Sequence, residues 1–114
     1  MAITDSFKRA ITTGDIRSLR IMMRDNLRLT GFGDFDEMEA LAKDVNGLYD
    51  EHDGREMNED SDAWDDAYMN RLMVQVVINF SYYRIEHLKR VTRYLRFKNF
   101  KDNLIKCFMN RISF

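Results

Sequence analysis

The sequence predicts an all-α fold, a compact bundle of five or six helices forming one domain over residues 1–114. Three observations lead there. The chain contains no proline, and its five glycines all lie at or before Gly54, too few turn formers for a sandwich of short strands. Residues 64–96, WDDAYMNRLMVQVVINFSYYRIEHLKRVTRYLR, form the longest run dense in large apolar side chains, with neither Gly nor Pro inside it. Elsewhere apolar residues recur every three or four positions, the period of a helix face.

That central run is the element around which the rest is expected to build. Its middle, Leu72-Met73-Val74-Gln75-Val76-Val77-Ile78, is apolar on nearly every side, as suits a helix at the centre of a bundle. A short buried strand over MVQVVI is the competing reading, because β-branched residues favour strands. Trp64, Tyr68 and Leu72, at i, i+4 and i+8, tip the choice to helix. The core is expected at Trp64, Leu72, Val76, Ile85, Leu88 and Leu95.

In chain order, Ile3, Phe7, Ala10 and Ile11 share one helical face, with Thr4 placed to cap it and Gly14 to stop it. Asp15 then caps a second helix whose apolar stripe is Ile16, Leu19, Met23 and Leu27, ending near Gly31. Residues 1–30 thus make a helical hairpin. The phrase AITTGDIRSLRIMM resembles one helical pair of an ankyrin-type repeat, but no second copy occurs and such repeats need about three neighbours. Gly31-Phe32-Gly33 reads as a turn, and Asp34 with Glu37 as a near capping box opening a third helix through Phe35, Met38, Leu41, Ala42, Val45 and Leu48-Tyr49. Residues 50–60 lose periodicity and are mostly charge. This acidic loop has little to pack and is expected to be the most easily cut internal segment. Residues 61–114 hold the central and C-terminal helices. Asp60 or Ser61 is placed to cap the central one, and Asn79-Phe80-Ser81 is its expected end, although one bent helix over 62–97 also satisfies the pattern. Asn99, with Asp102 three residues on, predicts a final helix turning Phe100, Leu104, Cys107-Phe108 and Ile112 inward.

Composition narrows the class. With 45% apolar and 32% charged residues, the chain is globular rather than disordered. The single cysteine, Cys107, set among Leu104, Ile105 and Phe108, suits a reducing cytosol and reads as a small buried hydrophobe. No run reaches the roughly eighteen apolar residues of a membrane span, and the first residues lack the apolar core of a signal peptide. A cytoplasmic protein without membrane contact is expected. Net charge is −1, yet residues 1–33, 34–66 and 67–114 carry +3, −12 and +8. Such polarity either folds onto itself or leaves two surfaces for partners.

No catalytic constellation emerges. GxGxxG, P-loop, GxSxG, HExxH and CxxC patterns are absent from the sequence, and the acidic loop fails the calcium pattern, with Tyr49 falling at position 1 when Gly54 is set at position 6. No cofactor, metal or catalytic residue is assigned. Two surfaces are the candidates for partner binding. Tyr83, His87, Arg90 and Tyr94, at i, i+4, i+7 and i+11, share a face away from Ile85, Leu88, Thr92 and Leu95, and Tyr and Arg are frequent interface anchors. Arg17, Arg20 and Arg24, continued by Arg28, form a basic stripe on the second helix. The bland alternative for each is a solvated or seam-packed helix face.

Two phrases, RSLRIMMRDNL and MVQVVINFSYYRIEHLKRVTRYLR, resemble segments of small uncharacterised helical proteins of gut Firmicutes and their mobile elements. The resemblance implies a bacterial or phage setting and carries no functional residues with it.

The sequence therefore points to a non-enzymatic, cytoplasmic protein-interaction domain with a protein partner, self-association being compatible with it. The alternatives are nucleic-acid binding through Arg84, Lys89, Arg90, Arg93, Arg96, Lys98 and Lys101, or mimicry of nucleic acid by the acidic 34–66 segment.

Overall fold

A computed structural model describes residues 3–29 and 32–112, with side chains throughout except at 28, 29, 32 and 110–112. The described residues form five α-helices and no strand: α1 (Asp5–Thr13), α2 (Ile16–Leu29), α3 (Phe32–Ala42), α4 (Asp66–Ile78) and α5 (Tyr82–Ile112), with a 3-10 turn at Ser61–Ala63 before α4.

The first two helices follow their local signals. Thr4 Oγ1 accepts a 3.1 Å hydrogen bond from the Phe7 amide, satisfying a donor that the first turn leaves free. Gly14 adopts φ 68°, and its amide donates to the Ala10 and Ile11 carbonyls, a left-handed termination that glycine makes without strain. Asp15 then accepts from the Ser18 amide and hydroxyl at 3.3 and 2.7 Å. These bonds hold its carboxyl below the usual aspartate range.

The hub of the bundle is α2, which packs on α1, α3, α4 and α5. Its Leu19, Met23 and Leu27 are enclosed, and around them lie Phe7, Phe35, Met38, Leu48 and Phe80. Trp64, Leu72, Val76, Ile85, Leu88 and Leu95 are all buried as the spacing predicts. The expectation that α4 is apolar all round because it is central is corrected. Only Leu72, Met73 and Val76 are buried, and Val74 and Ile78 are exposed, because α4 lies at the side of α2 and α5.

Other boundaries also shift. α3 starts at Phe32, so Gly33 and Asp34 fall in its first turn rather than before it, while Gly31 lies outside the described residues. It stops at Ala42 instead of running on to Tyr49. Turn bonds link Val45 to Ala42 and Leu48 to Val45, and Gly47, at φ 85°, reverses the chain so that Leu48 enters the core. Asp60 caps the 3-10 turn, and Asp65 caps α4 by accepting from the Tyr68 amide at 2.8 Å. α4 and α5 are separate helices: Asn79 ends the first, and Ser81 accepts from the Arg84 amide at 3.4 Å to start the second.

Beyond that point the expected break at Asn99 does not exist. α5 continues for 31 residues, about 46 Å at 1.5 Å per residue, in a molecule whose longest dimension is 60 Å. Arg96 still reaches the body, donating to the Leu27 carbonyl at 3.3 Å. Phe100, Leu104, Cys107 and Phe108, predicted to face inward, are exposed, and the Ile112 side chain lies outside those described. The apolar period continues through this segment, but among the described residues no element of the body extends far enough to cover it.

The acidic loop 50–60 lacks regular structure yet is tied down, contrary to the expectation that it has little to pack. Its Asp50 amide donates to the Phe80 carbonyl at 2.9 Å, and Asn79 Nδ2 to the Glu51 carbonyl at 2.9 Å. Trp64 Nε1 donates to the Asn58 carbonyl at 2.7 Å, and Met57 packs against the core. The segment is a strap across the α4–α5 corner.

Candidate functional site

The strap covers the tyrosine-histidine face of α5. His87 is fully enclosed, with Trp64 and Tyr68 presenting ring edges 5.5 and 5.9 Å away. Its Nε2 lies 2.8 Å from Tyr68 Oη, and its Nδ1 lies 3.3 Å from Arg90 Nη2. A guanidinium only donates, so Nδ1 accepts and the imidazole proton sits on Nε2, donating to Tyr68. Burial pushes the His87 pKa down. Glu59, 3.6 Å away, opposes that shift, whereas Arg90 and Arg84 add to it. Tyr94 packs edge-on against Trp64 at 5.5 Å, and Tyr83 stacks on His52 at 4.4 Å while donating to Glu59 at 3.3 Å. Tyr83, His87, Arg90 and Tyr94 are thus brought together, but not as one exposed stripe. Only Tyr83 and Arg90 keep about half their surface in water, at 46% and 49%.

The basic stripe of α2 breaks up in the same way. Arg20 is buried, donating from Nε, Nη1 and Nη2 to the carbonyls of Leu48, Val77 and Gly47 at 3.0, 3.0 and 3.1 Å. Asp50 pairs with it at 3.1 Å, and the Phe80 ring lies beneath it. It latches α2 to the turn after α3 and to the end of α4. Arg24 donates to the Met73 carbonyl at 3.3 Å and pairs with Asp25. Arg17 is exposed, and the Arg28 side chain lies outside those described. Arg17, Ile16 and Ile21 join Val74, Val77 and Ile78 in lining an open groove of about 610 Å³.

The lopsided charge therefore closes on itself over the first half of α5. Asp53 pairs with Arg84 at 2.8 Å, Glu59 with Arg90 at 3.5 Å and Asp36 with Lys89 at 3.8 Å. Three of the cations suggested for nucleic acid are thus engaged within the molecule. Over residues 97–109, Lys98, Lys101 and Lys106 face a single acid in the sequence, Asp102.

The second half of α5 carries the surface that the spacing had assigned to the core. Phe97, Phe100, Leu104, Ile105, Phe108 and Met109 are 50–67% exposed. Phe100, Leu104 and Phe108 form one i, i+4, i+8 row, and Phe97, Lys101, Ile105 and Met109 the next, giving a wide apolar face with one lysine in it. Leu104, Ile105, Cys107 and Phe108 line a shallow depression of about 540 Å³. The sequence signal that could have marked this face was the basic run around it, with almost no acid to tie it to the body. Among the described residues no helix is long and apolar enough to cross a membrane, and no three metal-ligating side chains converge.

The fold and this surface define an all-α protein with a projecting amphipathic helix. No family model, curated protein or solved structure matches the chain.

Proposed function

We propose that this chain is a non-enzymatic, cytoplasmic protein-interaction domain whose binding element is the second half of α5, residues 97–109. One observation carries the reading: six large apolar side chains, each at least half exposed, lie on one face of that segment. Contiguous exposed apolar patches of this kind mark binding surfaces in soluble proteins. Such a helix is also marginal in water without a covering partner. Half-exposed Tyr83 and Arg90, with exposed Arg17, remain as secondary contacts. His87 and Arg20 serve the fold. Nucleic-acid binding has less support, because Arg84, Lys89 and Arg90 pair with acids of the same chain and Lys101 sits among phenylalanines rather than in a row of cations.

A photo-reactive benzoyl-phenylalanine in place of Phe108, in cells that make the protein, is expected to give discrete protein adducts. The same group in place of Lys106, on the opposite side of the helix, should not. Absence of protein adducts from position 108 would overturn the reading, as would duplex DNA binding that falls steeply with salt and is lost on neutralising Lys98 and Lys101.

A further inference from the structure

We infer that the occupant of this apolar face is a second copy of the same chain, docked antiparallel about a two-fold axis at Leu104. The inference rests on the reading of the α5 tail as the binding element.

The first argument is symmetry. A two-fold interface is self-complementary, so that when residue i meets j, j meets i. Phe100 and Phe108 stand four residues on either side of Leu104. An antiparallel pair centred there sets Leu104 against its own copy and each Phe100 against the partner's Phe108.

The second argument is area. Phe97, Phe100 and Phe108 are 64–67% exposed, and Leu104, Ile105 and Met109 are 50–59% exposed. With about 150–250 Å² for each aromatic side chain, the three phenylalanines alone leave about 300–500 Å² in water, and Leu104, Ile105 and Met109 bring the apolar surface to on the order of 600 Å². That is the top of the range of about 300–600 Å² for the largest patch on a monomer. It also approaches the roughly 800 Å² per partner of a stable interface.

Charge selects the orientation. Residues 97–114 carry +3 and residues 1–96 carry −4. Tail lies along tail in either orientation, but a parallel pair would also set acidic body beside acidic body. The antiparallel pair sets the two bodies at opposite ends and turns each basic tail toward the partner's acidic body.

Sedimentation of the full chain at micromolar concentration is expected to give twice the 13.7 kDa of one chain. Leu104→Asp should weaken that association at least about a hundredfold, through burial of a charge, with the far-ultraviolet circular dichroism of the body kept. Lys106→Glu, on the outer side, should leave the dimer intact. In a Cys107→Ser background, Leu104→Cys should cross-link through a short bis-maleimide and Phe97→Cys should not. A monomeric chain would overturn the inference, and so would a dimer indifferent to Leu104→Asp or equal cross-linking from positions 97 and 104. Were the chain monomeric while position 108 still gave adducts with a different protein, self-pairing would fail and the reading of the face as an interaction surface would stand.

Discussion

Arg84 Nη2 lies 2.8 Å from both carboxylate oxygens of Asp53, a residue 31 positions earlier in the chain. The rest of the guanidinium is equally occupied, with Nε 3.2 Å from Asn79 Oδ1 and Nη1 3.0 Å from Gln75 Oε1. Only 3% of its side chain reaches solvent. One arginine thereby joins the strap, the end of α4 and the start of α5.

Replacing it tests the strap. Arg84→Met removes the guanidinium donor from Gln75, Asn79 and Asp53, of which Asn79 and Asp53 keep one backbone amide donor each, and should cost about 1–3 kcal/mol in urea unfolding. A change below about half a kcal/mol, the size of an ordinary surface substitution, would show that the strap is not fastened there.

Arg20 and Arg17, neighbours on the same expected stripe, should behave oppositely. Arg20→Met takes the guanidinium from three carbonyls, while Asp50 keeps the Phe80 amide, and should destabilise by about 2–4 kcal/mol. Arg17→Glu, on the exposed side, should change stability by no more than about half a kcal/mol. Equal effects in thermal or urea melts would return the stripe to a single role.

The pH dependence has two windows. His87, with its pKa lowered from 6.5 by burial, is held neutral in the fold. Between its folded value and 6.5 the unfolded chain binds the additional proton, so stability rises with pH through that window and falls on acidification from neutrality. For Asp53, desolvation alone would raise the pKa, but the Arg55 amide and the Arg84 guanidinium outweigh it and lower it from 3.8. Its contribution is complete above 3.8 and disappears as the pH falls through the folded value. Melting followed against pH should lose the upper slope in His87→Gln and show a reduced lower one in Asp53→Asn, with Asp15 supplying part of what remains. Unchanged profiles would rule out both assignments.

Two neighbours on α5 should respond with opposite sign. Leu88 has no exposed surface, and Leu88→Ala should cost about 2–5 kcal/mol. Thr92 is also buried, and among the described residues its hydroxyl has no hydrogen-bond partner. Thr92→Val should therefore stabilise by about 1 kcal/mol, by removing an unsatisfied polar group without changing the shape of the side chain. Urea unfolding of the two single variants checks both, and a destabilised Thr92→Val would mean that the hydroxyl is satisfied in solution.

The helical character of the chain and the ends of its first two helices are legible in the sequence, because the forces that set them reach only three or four residues. Thr4, Gly14, Asp15 and Ser81 act on backbone groups one turn away, and the apolar period of Leu19-Met23-Leu27 or Ile85-Leu88-Leu95 needs no knowledge of a partner. The end of α3 was less legible, since the spacing continues through Val45 and Leu48 and only the reversal at Gly47 shows that both belong to a turn.

Which faces meet depends on contacts between residues far apart in the chain. His87 and Arg20 read as surface residues because their partners, Tyr68 and the Leu48 carbonyl, lie 19 and 28 positions away. Leu88 and Leu104 stand on the same helix within similar apolar rows, yet the first is fully buried and the second is 59% exposed. Periodicity determines that a helix has an apolar side. Whether that side becomes core depends on the reach of α2 and α4, whose contact with α5 ends where the body ends.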